Sequence, residues 1–244
     1  MRELSELVEV DDPAWPVLQR ELYASAVPVE VLPADLDRGR ATLVQLQVTA
    51  KSYLGAVALH CGGLILERGW LRILGSPAAS NPRAFPGLAA VNQFPASPDA
   101  AWRPEDGLVV AYDVLGGVFA INSGDPGAAG RPGSPGEMVY FAPDSLRWEA
   151  LGAGHSAWLS WTLSGALDRF YADVRWPGWQ DEVAELDGTQ GLSVFPPLWS
   201  AEARRDLPAT SRRAVPVAEL LGLGRGTATQ FDGHDPGFLG TLDV

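Results

Sequence analysis

Residues 107–171 read GLVVAYDVLGGVFAIN, then a Gly/Pro-rich stretch, then EMVYFAPDSLRWEALGAG and HSAWLSWTLSGALDRFY. The first block is two apolar runs, 108–114 and 118–122, joined at Gly116-Gly117, where glycine permits a tight turn between strands. Residues 123–136 (SGDPGAAGRPGSPG) have the composition of a mobile linker. Residues 138–142 complete a meander. Pro143-Asp144 then predicts a single helical turn through SLRWEAL, broken at Gly152–Gly154. Ser156 predicts the cap of a longer helix with Leu159, Leu163, Ala166 and Phe170 on its buried stripe. Strands in sequence order followed by a helix give the fold class: α+β, an antiparallel sheet of about five to seven strands with helices mainly on one face.

Working outward, Asp12 and Pro13 predict a helix start, with Trp15, Leu18 and Leu22 on one face. Residues 29–32 read as a strand, 34–46 as a helix despite Gly39, and 52–61 as a short helix ended by Gly62-Gly63. Leu64 and Leu66, then Trp70 and Ile73, flank Glu67-Arg68-Gly69 in a hairpin pattern. Residues 75–106 form a long, proline-rich connection with apolar islands, the kind of loop that often carries function. Downstream, 179–186 is helical, 192–195 a strand, and 217–221 a last short helix stopped by Gly222. The expected organisation is one domain over residues 1–222 and a Gly-rich tail over 223–244, partly disordered or laid along the surface.

The 244 residues are 46% hydrophobic, enough for a sizeable core without metal or disulfide. Eighteen basic residues, all but Lys51 arginine, stand against thirty acidic ones, for a net charge of -12. Such a surface repels phosphate backbones and favours a basic protein partner. Cys61 is alone, so no internal disulfide forms. The N-terminal residues lack a secretory pattern, and no apolar run has the ~18 residues of a membrane span. The expectation is a cytoplasmic protein that binds neither membrane nor nucleic acid.

The chemistry-bearing residues do not form a recognisable pattern. His60 and Cys61 are adjacent and would point apart, so His60 is a poor base for that thiol. His155 and His234 are isolated, and no metal-ligand spacing exists. Ser164 lacks a strand-to-helix elbow, and GLGRGT at Gly222 follows a helix where a dinucleotide motif would precede one. The carboxylate pairs Asp11/Asp12, Glu105/Asp106 and Asp181/Glu182 read as caps or solvated faces. Arg204-Arg205 and Arg212-Arg213 read as ion-paired surface. No cofactor or metal is expected. Three residues stand out as candidate binding positions. Asp113 lies in an apolar strand before a Gly-Gly turn, either capping that turn or lining a cleft. Trp176 and Trp179 flank Pro177-Gly178, either as contact residues or as covers of the core.

DDPAWP (11–16), VEVLPAD (29–35), LQVTAKSYLGAVA (46–58), GGLILERGWLRILGS (62–76) and YFAPDSLRWEALGAGHSAWLSW (140–161) together resemble a bacterial domain-of-unknown-function family that includes YbfG-type proteins. The resemblance covers about residues 8–222 and implies no activity or site residues. A more distant likeness links DVLGGVFAIN and the following VYF strand to the Smi1/Knr4-type superfamily, whose bacterial members include immunity proteins that neutralise toxins. Three functions follow, in order: a non-enzymatic protein-binding module, of the immunity type as that distant likeness implies; an enzyme or small-molecule binder with a cleft near Asp113 and the 75–106 loop; and an oligomerising module, distinguished by light scattering.

Overall fold

A computed structural model describes residues 1–78, 85–104, 106–232 and 235–242. His234 and Glu105, weighed above, lie outside the described residues, as does part of the 75–106 connection. The chain is α+β. Strands β1 (Val29–Leu32), β2 (Gly63–Leu66), β3 (Leu71–Leu74), β4 (Gly107–Asp113), β5 (Val118–Asn122), β6 (Glu137–Ala142) and β7 (Arg147–Gly154) form one seven-stranded sheet in sequence order. All its neighbours are antiparallel. A separate hairpin pairs β8 (Gln190–Phe195) with β9 (Ser211–Pro216). The helices are α1 (Leu4–Val8), α2 (Trp15–Tyr23), α3 (Leu36–Leu46), α4 (Tyr53–His60), α5 (Leu88–Val91), α6 (His155–Leu163), α7 (Leu167–Phe170), α8 (Trp179–Ala184), α9 (Ala201–Arg205) and α10 (Val217–Asp232).

Local chemistry explains the elements. Asp35 caps α3 by accepting from Asp37 N and Arg38 N, and Ser52 caps α4 through Gly55 N. Gly39 sits where α3 meets α4: a Cβ there would lie 2.6 Å from the Ala58 carbonyl oxygen. Its helix-propensity cost is offset by close packing. Phe119 of β5 stacks with Tyr140 of β6 and lies beside Trp158 of α6 and Phe170 of α7, so these helices cover one sheet face. The other face carries Arg72 and Tyr112, paired across β3 and β4. Their polar ends bond Gln190 O, Asp187 O and Gly188 O, which docks the segment leading into β8. Trp148 donates to Pro236 O, and Arg131 donates to Phe238 O while stacking over Trp148. The end of the chain therefore closes the same face.

Several sequence expectations need correction. Residues 147–154 are strand β7, not a helical turn; Leu146 (φ 58) turns the chain back, and residues 147, 149 and 150 are exposed around buried Trp148. Helix α2 begins at Trp15 rather than Pro13, because Asp12 has φ 56. The helix at 156–170 is split into α6 and α7 at Gly165, which has φ +87. Gly222 does not stop α10, which runs to Asp232. Beyond it, Leu239 and Leu242 are buried in the core. The loop 123–136 is pinned rather than free: Arg131 is buried, and Asn122 donates to Pro132 O and Ser134 O.

Candidate functional site

Asp113 is the most tightly held polar side chain of the fold. It is wholly buried at the end of β4. Its Oδ1 accepts from Leu115 N at 2.9 Å and Gly117 N at 2.8 Å. Its Oδ2 accepts from Tyr140 Oη at 2.7 Å and Tyr171 Oη at 3.1 Å. Burial pushes the carboxyl pKa up, and the four donors pull it back. The two tyrosines are raised well above the usual phenol range, first by burial and then by the Asp113 charge. Gly117 is required beneath them, since a Cβ there would stand 2.2 Å from Asp113 Oδ2. The carboxylate is spent inside the fold on these four hydrogen bonds.

Trp176 and Trp179 are similarly engaged. Trp176 is buried, its indole N–H donates to Glu182 at 2.8 Å, and Arg212 lies over its ring at 4.5 Å while pairing with Glu182. Trp179 packs edge-on to Trp70. Arg175 lies between them, 4.1 Å from the Trp179 ring and 4.6 Å from Trp70, and is ion-paired with Glu67. Each of these cation–π contacts is made within the chain.

The nucleophile and base candidates stay apart. Cys61 is buried and burial pushes its thiol up to about 12, far from a thiolate at neutral pH. His60 stacks on Trp15. His155 is buried with both ring nitrogens unpaired, and burial lowers it to about 4. No group of three or more His, Cys, Asp or Glu residues among those described could hold a metal ion. The basic pairs are largely tied down: Arg204 donates to Asp144 O, Arg212 pairs with Glu182 and Arg213 with Glu219.

Several concavities open among the described residues, and in two of them one face of a helix forms a wall. The first lies between α10, the β8–β9 hairpin and the β4–β5 turn, with a volume of about 280 Å³. Leu220, Leu223, Gly224 and Thr227 line it at i, i+3, i+4 and i+7 of α10, a single helix face. Leu192, Leu198 and Phe141 oppose them, and no charged residue lines it. Phe195 and Leu223 at its rim are 69% and 51% exposed, unusual for large apolar side chains. The Asp113 turn supplies one wall through Leu115 and Gly116, and Val114 O accepts from Leu192 N at 2.7 Å. Asp113 thus shapes the groove from behind. The sequence reading missed this groove because it ended α10 at Gly222; the face at 220, 223, 224 and 227 was the available signal.

The second concavity, also about 280 Å³, lies between α3 and residues 75–77 and 87–98. Arg38, Ala41, Thr42 and Gln45 line it, again at i, i+3, i+4 and i+7. Ser76 is on its wall, 4% exposed, with its hydroxyl unpaired. Here the long connection expected to carry function does border a cavity, one that Asp113 does not line.

The chain belongs to the family described as "Protein of unknown function DUF2625", whose model matches residues 4–220. It is 40% identical over 228 residues to "Putative uncharacterized protein YbfG" of Escherichia coli (strain K12), covering 90% of this chain and 94% of that protein. It is 34% identical over 197 residues to an "Uncharacterized protein" of Haemophilus influenzae, covering 81% and 82%. No solved structure matches. No helix among the described residues is long and apolar enough to cross a membrane.

Proposed function

We propose that this DUF2625-family chain is a non-enzymatic, cytoplasmic protein-binding module whose contact surface is the groove between α10 and the β8–β9 hairpin. The observation that carries the reading is the groove's apolar lining, which runs outward onto exposed Phe195 and Leu223. Apolar patches of this kind mark interaction sites. The groove offers nothing to polarise or deprotonate a substrate, and the buried ionisable groups nearby are consumed by their own fold. A net charge of -12 fits a basic partner drawn in electrostatically and anchored by an apolar side chain. The pattern likeness to immunity proteins points the same way. In this reading Asp113 positions the groove wall, and Trp176 and Trp179 stiffen the molecule near Arg212 of the hairpin.

The test is affinity capture from the native host at low and moderate salt, run in parallel with the Phe195→Ser/Leu223→Ser double variant. A basic protein retained by the wild type and lost from the folded double variant supports the reading. Recovery of nothing, or equal retention by both, overturns it.

A further inference from the structure

We propose that the cavity between α3 and residues 75–77 and 87–98 binds a small apolar carboxylate. Most of its wall is apolar and made of small residues, including Ala41, Ala89 and Ala90, with the Phe94 ring also lining it. That wall accepts a compact hydrocarbon body, and the volume of about 280 Å³ lies near the lower end of the ~300–1,000 Å³ of small-molecule sites. Two features select the polar part of the ligand. The Ser76 hydroxyl is buried without a partner, although its backbone N–H and C=O are both used, by Cys61 O and Asp35 N. A buried hydroxyl left unpaired is costly, and a bound acceptor would offset that cost. Among the described residues lining the cavity Arg38 is the one ionised side chain, a cation in a chain of charge -12. Its side chain is 58% exposed and held loosely, at 3.3 Å from Pro77 O and 3.5 Å from Asp35, so it can turn onto a carboxylate at the mouth. Gln45 does not compete, because both ends of its amide are bonded to the Asp99 backbone.

This site is separate from the α10 groove, and either assignment can fail alone. The experiment is a titration of the ¹⁵N-labelled full chain with sodium benzoate and, separately, with its neutral isostere benzamide, followed by amide shifts. Saturable benzoate shifts confined to α3 and residues 75–98 are expected, with benzamide binding about ten-fold more weakly. Arg38→Gln should bring benzoate down to the level of benzamide, and Ala41→Trp, at an exposed helix position, should abolish both. Absence of saturable shifts, shifts that persist in Ala41→Trp, or benzoate and benzamide binding equally in the wild type would each overturn the assignment.

Discussion

The turn around Asp113 has two sides that differ in every respect that matters for function. Inward, four donors close on one carboxylate under Tyr140 and Tyr171. Outward, Leu115 and Gly116 face an apolar groove with no ionised residue in its lining. The inward side holds the residues that look like chemistry and uses them for architecture. The outward side holds residues that look like ordinary core and leaves them available. The polar cluster serves stability, and the proposed contact surface is the apolar one.

That contrast makes predictions of decreasing size. Asp113→Ala would strand two phenols and two backbone N–H groups in the core, destabilising by roughly 3–5 kcal/mol. Urea unfolding checks this, and a loss below about 1 kcal/mol would break the contrast at its strong end. Gly117→Ala should approach the same cost, because its Cβ would collide with that carboxylate. Next is pH. His155 has a folded pKa of about 4 against 6.5 for the free group, so the unfolded chain binds the extra proton between those values. Its contribution is complete above about pH 6.5 and is lost as the pH falls toward 4, about 3 kcal/mol in all. His155→Phe should flatten the fall in Tm between pH 7 and pH 4.5 relative to the wild type; parallel curves would refute this. The smallest effect belongs to the groove. Phe195→Ser and Leu223→Ser should each leave stability within about 0.5 kcal/mol, since both side chains face solvent. A larger loss would mean that the groove rim is structural after all.

The sheet was legible because its signal is local. Glu67-Arg68-Gly69 and Gly116-Gly117 supply the backbone freedom their turns use: all three of 67–69 and Gly116 have positive φ. What was illegible depended on tertiary partners. Residues 147–154 carry no strand alternation strong enough to read alone and become β7 by pairing with β6. Ser211–Pro216 reads as charged surface, yet it pairs with β8 along its whole length. For the site, Asp113 was legible as a turn cap, but its two tyrosine donors lie 27 and 58 residues away. Gly222, Gly224 and Gly226 hid α10, because glycine propensity argues against a helix that packing against β8 and β9 sustains.

The strictly sequential strand order has a consequence for synthesis. Each strand after β1 needs only a neighbour already made, so the sheet can zip vectorially as the nascent chain emerges, with the long connections before β2 and β4 as the slower closures. The groove cannot form then. Its walls come from the β4–β5 turn, from β6, and from segments more than fifty residues later in α10. In the proposed reading contact competence therefore arrives last, after the sheet is complete.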